Sequence, residues 1–100
     1  MGLNPVSLDS VVLAAVRQVS CDLAGEAAIL HLDSGVYYTL DPVGARVWTL
    51  VQQPVRVAAV RDTLLAEYDV VPHRLEADLV DLLTRLAAER LIEVRDADSA

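Results

Sequence analysis

The chain has 100 residues, of which 54% are hydrophobic, and 15 acidic residues against 8 basic ones give it a formal net charge of −7. This length fits one domain with a modest core, no apolar run approaches the roughly 20 residues that cross a bilayer, and the acidic balance disfavours binding to nucleic acid. The start of the chain lacks the features of a signal peptide, and the lone Cys21 cannot form an internal disulfide. We therefore expect a cytoplasmic protein without nucleic-acid or membrane partners.

The first part of the chain has the pattern of an antiparallel sheet. Residues 1–10, which contain an Asn-Pro pair, are predicted to be an irregular lead-in. β-Branched residues indicate a strand somewhere within Val11–Leu23, a turn at 24–26 follows, and a second strand covers Ala27–Asp33. The third strand is Val36–Leu40. In the predicted three-stranded meander the middle strand is sheltered, so the first and third strands are edges.

The connection between the second and third strands is Asp33-Ser34-Gly35, whose polar side chains and permissive glycine favour a tight reversal. At a sheet edge, the backbone N–H and C=O groups of the third strand would be unpaired. Val36–Leu40 contains no lysine, proline or glycine that would discourage a partner strand. This edge is therefore a candidate site for the addition of a peptide strand.

Side chains on the third strand must alternate between two faces. Val36, Tyr38 and Leu40 form the more apolar set, and we expect them to pack on the helices. Tyr37 and Thr39 then lie on the opposite face. Which of these residues direct their N–H groups outward is left open by the sequence.

After Asp41 the hydrophobic period changes from two to about 3.6 residues, which predicts helices. Asp41 is a suitable N-cap, and Pro42 fits the first helical position, where its missing N–H costs nothing. The predicted elements that follow are a first helix ended by Gln52-Gln53-Pro54, a second helix over Val57–Tyr68, a third and longest helix over Pro72–Arg90, a short strand over Leu91–Val94, and a polar tail at 95–100.

Three strands followed by three helices, with a short loop before the last helix, predict an α+β fold of the winged helix-turn-helix type. A single domain over residues 11–94 holds all of these elements. The third helix is amphipathic. Its apolar stripe comprises Leu75, Leu79, Leu82, Leu83 and Leu86, and its charged side carries Arg74, Asp78, Asp81 and Arg85.

Residue types that could carry chemistry are present but lack the spacing of a reactive site. Cys21, His31 and His73 do not have the spacing of metal ligands. Asp78 and Asp81 are interpreted as a solvated helix face rather than a catalytic pair. A glycine-rich phosphate loop and a nucleophile elbow are both absent from the sequence. We expect no enzyme activity and no cofactor or metal.

Two motifs within Leu30–Trp48 carry a resemblance to a known family: Asp-x-Gly-x-Tyr-Tyr-x-Leu from Asp33 and Pro-x-Gly-Ala-x-x-Trp from Pro42. Together with the Glu-Tyr-Asp-Val segment at 67–70 and the hydrophobic spacing of the third helix, these motifs resemble those of the PqqD-like family. Its members are recognition elements for ribosomally synthesised and post-translationally modified peptides. The resemblance extends over about Val11–Val94.

The resemblance implies a binding module for a precursor peptide. The leader segment of the precursor would add as a strand to Val36–Leu40 and lie against the third helix, and the module would present it to a maturation enzyme. A free-standing member of this size is similar to the leader-binding proteins of lasso-peptide pathways, whose partner is a leader protease. The alternative is the peptide chaperone of pyrroloquinoline quinone synthesis, which serves a radical enzyme.

The predicted contacts follow from this interpretation. The peptide-binding residues are Val36, Tyr37, Tyr38, Thr39 and Leu40, through main-chain pairing, and Leu75, Asp78, Leu79 and Leu82 on the third helix. The alternative for the leucines is a role in the core alone. Two other functions remain open: a winged-helix DNA-binding regulator, and a small subunit that stabilises a larger enzyme through the same edge.

Overall fold

The computed structural model describes residues 6–23 and 26–95. Its elements in chain order are β1 (Val11–Ala14), β2 (Gln18–Leu23), β3 (Glu26–His31), β4 (Tyr37–Leu40), α1 (Pro42–Leu50), β5 (Val55–Arg56), α2 (Val57–Glu67), α3 (Pro72–Ala88) and β6 (Ile92–Arg95). A three-stranded antiparallel sheet, β2-β3-β4, is followed by three helices, so the predicted α+β, winged helix-turn-helix-like fold is confirmed. Within the described ranges, no helix is long and apolar enough to span a membrane.

The range Val11–Leu23, predicted to hold the first strand of the meander, contains two strands in two different sheets. β1 is the centre of a small sheet of order β5-β1-β6, whereas β2 pairs with β3. The separation occurs because the backbone after β1 turns toward other partners: the N–H groups of Ala14 and Ala15 donate to the carbonyls of Val51 and Leu91. The predicted turn at 24–26 lies partly outside the described residues.

The ends of the chain also differ in detail from the expectation. Arg95, assigned to the polar tail, is the last residue of β6, where it is paired with Val11. Residues 96–100 and 1–5 lie outside the described part. Residues 6–10 form neither helix nor strand, but the carbonyls of Leu8 and Ser10 accept the N–H groups of Ala58 and Val57. They thereby satisfy the first free donors of α2, which has no side-chain cap.

The hydrophobic core lies between the sheet and the helices. Its fully buried side chains include Ile29 from β3, Val47 from α1, Leu64 from α2 and Leu83 from α3. Trp48 is also buried, on α1, which packs against β3. This packing fixes α1 beneath the sheet and leaves α3 beside β4.

The C-terminus of α3 ends with a residue in the left-handed region. Arg90 has a φ of 62°, and the N–H groups of Arg90 and Leu91 donate to the carbonyls of Ala87 and Leu86 at 3.0 and 2.9 Å. This is a Schellman arrangement, in which glycine is the preferred residue at the position of Arg90. A side chain in this conformation carries a steric cost of about 1–2 kcal/mol.

We therefore expect Arg90→Gly to stabilise the protein by about 1 kcal/mol, after the greater freedom of glycine in the unfolded chain is subtracted. A thermal melt should show a rise in Tm of about 5 °C. The control is Ala77→Gly, in the exposed interior of α3, where the same residue should cost about 1 kcal/mol. A lower Tm for Arg90→Gly would contradict the assignment of strain to this position.

A two-point ion pair joins α1 to the end of α2. Arg46 donates from Nε and Nη2 to the two carboxylate oxygens of Glu67, at 2.9 and 2.7 Å. These hydrogen bonds, together with the charge of Arg46, lower the pKa of Glu67 in the folded protein. A carboxyl group with a lowered folded pKa adds stability above its unfolded pKa, and that stability is lost as the pH falls through the folded value.

Glu67→Gln is accordingly expected to destabilise the protein at neutral pH and to lose this effect in acid. The measurement is the urea midpoint of both proteins at about pH 7 and about pH 3. The difference in midpoint should shrink at the lower pH. A difference of the same size at both pH values would show that the ion pair does not set the pKa of Glu67.

Candidate functional site

The β3–β4 hairpin and the cap that follows it are built by local sequence. Gly35 has a φ of 72°, a conformation that favours glycine, and it ends the turn before β4. After β4, Asp41 caps α1, since its Oδ1 accepts the N–H of Gly44 at 2.8 Å. β4 is therefore held between a tight turn and a fixed helix start.

The side chains of β4 alternate as the sequence predicts. Leu40 is 8% exposed and Tyr38 is half-buried, whereas Tyr37 is 61% exposed and Thr39 is exposed. Val36, assigned to the buried set, precedes the strand and is 36% exposed. The helix-facing side of β4 thus consists of Tyr38 and Leu40.

The hydrogen-bond register determines which backbone groups of β4 point outward. The N–H of His31 donates to the carbonyl of Val36 at 2.9 Å, so these two residues form a hydrogen-bonded pair. Such pairs alternate along an antiparallel ladder, which directs the N–H of Tyr38 toward its partner Ile29. The N–H and C=O groups of Tyr37 and Thr39 therefore point away from β3.

The hydrogen bonds on the β2 side of β3 give the same assignment of inward and outward backbone groups. Leu32 donates its N–H to the carbonyl of Arg17, in the direction of β2, at 3.0 Å. The backbone N–H and C=O groups of successive β3 residues must then point alternately to β2 and to β4. The bond from His31 to Val36 agrees with this alternation. β4 has no second neighbour among the described strands, so its outward groups form a free edge.

A groove of about 540 Å³ lies between this free edge and α3. Its deepest side chains are Val47, Leu64, Leu79 and Leu86, all of them buried and apolar. β4 lines one wall and α3 the other. Apolar grooves of this volume, bordered by a few polar groups, are typical of binding sites.

Seven of the nine predicted binding residues line the groove: Tyr38, Thr39, Leu40, Leu75, Asp78, Leu79 and Leu82. The other two, Val36 and Tyr37, are not among its lining residues. The backbone of Tyr37 nevertheless belongs to the free edge. Leu75 and Leu79 are buried and belong to the hydrophobic core, and both also line the groove. A role in the core and a place in the groove are therefore not alternatives for these two leucines.

The groove also has a rim whose residues are not among the nine predicted binding residues. Asp81 and Arg85 border it on α3, and Val43 and Val70 border it at the end near α1. In the sequence, Asp81 and Arg85 follow Asp78 at helical spacing, which indicates that they continue the same face of the helix. Val43 and Val70 are exposed valines, which the hydrophobic pattern alone cannot separate from core residues.

Of the charged side chains that α3 places at the groove, only two are paired with each other. Arg85 forms an exposed ion pair with Asp81 at 3.4 Å. Asp78 is exposed and forms no ion pair with any residue that the structure describes. The α3 wall therefore presents a free carboxylate, which favours a basic or amide side chain in an occupant.

Tyr38 borders the groove toward the C-terminal end of α3. Burial raises the pKa of its hydroxyl group, and the neighbouring carboxylate of Glu89 raises it further. The hydroxyl is thus held in its neutral form beside Glu89, which follows the last turn of α3. The Tyr38 side chain thus lies between the free edge of β4 and the end of the helix that forms the other wall.

Comparison with known proteins assigns this arrangement to a family. The family model described as Coenzyme PQQ synthesis protein D (PqqD) matches residues 26–92, from the start of β3 to the first residue of β6 and thus about two thirds of the chain. The chain belongs to the PqqD family. The resemblance found in the hairpin and helix motifs is therefore confirmed. A search of curated proteins found no match.

A solved structure shares the fold of this PqqD-family protein. It is described as TbiB1 in complex with the TbiA(beta) leader peptide. The two chains are 37% identical, the alignment covers 81% of this chain and 94% of that chain, and the TM-score is 0.76. Membership of this family agrees with the expectation that the chain is not itself an enzyme. In the described ranges, no group of three or more His, Cys, Asp or Glu residues is placed to hold a metal ion.

Proposed function

We propose that this protein binds the leader segment of a ribosomally synthesised precursor peptide as an added strand on β4, against α3. The observation that carries the proposal is the free edge of β4, where the backbone groups of Tyr37 and Thr39 point outward beside an apolar groove. A peptide strand supplies the missing hydrogen-bond partners. Its alternate side chains enter the groove and give specificity.

The chemistry of the groove defines the kind of leader it accepts. The buried leucines and Val47 on its floor favour one or two apolar anchors at alternate positions of the added strand. The free carboxylate of Asp78 favours a basic or amide side chain next to an anchor. The solved structure of TbiB1 holds a leader peptide, which supports this class of ligand.

The finer proposal is that the protein hands the bound leader to a leader protease, as in lasso-peptide maturation. The likeness to TbiB1, which was solved with a leader peptide, supports the leader-binding part of this proposal. The second candidate is a peptide chaperone for a radical enzyme, which the PQQ-synthesis description of the family favours. The identity of the neighbouring genes discriminates between the two partners: a leader-protease gene would support the first, and a radical-enzyme gene would support the second.

A DNA-binding regulator of similar architecture would use α3 as its recognition helix. That helix carries Glu76, Asp78 and Asp81, whose charge opposes contact with phosphates. An anisotropy titration with duplex DNA at physiological salt is expected to show weak binding without sequence preference. Nanomolar, sequence-dependent binding would replace the leader proposal with a regulator.

The test is a fluorescence anisotropy titration with two labelled peptides from the precursor encoded by the nearest short open reading frame. One peptide contains the leader and the other the core. The leader is expected to saturate with a sub-micromolar Kd, which corresponds to about −8 to −10 kcal/mol, whereas the core should not bind in that range. Equal affinity for the two fragments would refute leader recognition.

A further inference from the structure

His31 makes four hydrogen bonds to the turn that begins β4. Its side chain lies on β3 and is only 6% exposed. Nδ1 accepts the backbone N–H groups of Asp33 and Ser34, both at 3.2 Å. The main chain of His31 donates to the carbonyl of Val36 and accepts from the N–H of Gly35, both at 2.9 Å.

The side-chain bonds go to donors that have no strand partner. Asp33 and Ser34 lie in the reversal between β3 and β4, where a ladder cannot use their N–H groups. Ser34 in turn accepts the N–H of Val36 through its Oγ at 3.2 Å. Because Nδ1 accepts the N–H groups of both Asp33 and Ser34, the imidazole holds these two residues in place. A turn with one residue more or fewer would lose these hydrogen bonds.

The length of this turn decides the register of β4. A shift of one residue would move every side chain of the strand to the opposite face. Tyr38 and Leu40 would leave the groove, and the outward N–H groups would no longer be those of Tyr37 and Thr39. We propose that His31 is a positioning residue that holds the docking edge in its binding register; this inference rests on the proposed function.

The experiment compares two variants that differ in where the acceptor lies. In His31→Asn the amide Oδ1 takes nearly the place of Nδ1, whereas in His31→Gln the amide group reaches the position of Nε2 instead. The control is His73→Asn, on the exposed start of α3. Each protein is titrated with the labelled leader peptide, and the amide hydrogen exchange of Asp33 and Ser34 is followed by NMR.

We expect His31→Asn to bind the leader within about threefold of the parent and to keep slow exchange at Asp33 and Ser34. His31→Gln should lose about tenfold or more in affinity, since each net hydrogen bond is worth roughly fivefold in an equilibrium constant. Its two turn amides should exchange rapidly. His73→Asn should match the parent in both measurements.

Two outcomes overturn the inference. One is a folded His31→Gln that binds leader as the parent does. The other is rapid exchange of Asp33 and Ser34 in the parent protein, a result available even if a variant fails to fold. If the parent binds no leader, the proposed function fails. The role of His31 in the register is then still tested by the cross-strand NOE between Ile29 and Tyr38, which is compared between the parent and His31→Gln.

Discussion

Thr39→Pro is expected to lower leader affinity by at least about a hundredfold while the protein remains folded. The N–H of Thr39 points outward from β4, so its loss removes no bond to β3, and edge strands tolerate proline at such positions. The incoming strand, however, loses a hydrogen bond and meets the proline ring. Tyr37→Pro should behave in the same way.

Tyr38→Pro is the matched control within the same strand. The N–H of Tyr38 is directed to Ile29, and the loss of this ladder bond should cost about 1–3 kcal/mol of stability. A thermal melt should therefore show a lower Tm for Tyr38→Pro than for the variants on either side of it. If the folded Thr39→Pro variant binds leader like the parent, β4 is not the docking edge.

The second large effect is expected at the α3 wall of the groove. Leu82 is half-buried and lines the groove, and arginine at this position would occupy the space of a leader side chain. A bound leader would also have to desolvate the new charge, which is unfavourable. We expect Leu82→Arg to weaken leader binding about thirtyfold, or about 2 kcal/mol, with the circular dichroism spectrum unchanged.

Ala77→Arg separates occlusion of the groove from a change in net charge. Ala77 is exposed on α3 and does not line the groove, and the substitution adds the same charge to the same helix. Its leader affinity should remain within about threefold of the parent. An equal loss in both variants would indicate long-range electrostatics, and no loss in Leu82→Arg would show that the leader does not occupy the groove.

The elements predicted well are those whose signals are local. The Asp41-Pro42 cap, the glycine of the turn and the leucine stripe of α3 each act within a few residues, and the structure contains all three features. The two strands inside Val11–Leu23 were not separated because the sheet to which each belongs is decided by distant partners. β1 pairs with residues 92–95 at the other end of the chain.

The site shows the same division. Alternation along β4 is a property of any strand, so the inward side of Tyr38 and Leu40 followed from sequence. The direction of the backbone groups did not, because it depends on the bond from His31 to Val36. The rim residues Asp81 and Arg85 border the groove through the rotation of α3 against the sheet, which periodicity leaves undetermined.

The most direct test of strand addition is amide hydrogen exchange along β4, measured by NMR with and without a saturating amount of the leader peptide. In the free protein, the amides of Tyr37 and Thr39 should exchange rapidly and that of Tyr38 slowly. Leader binding should slow exchange at Tyr37 and Thr39 by about a hundredfold or more, with little change at Tyr38. Unchanged exchange at both residues in the saturated complex would contradict the account.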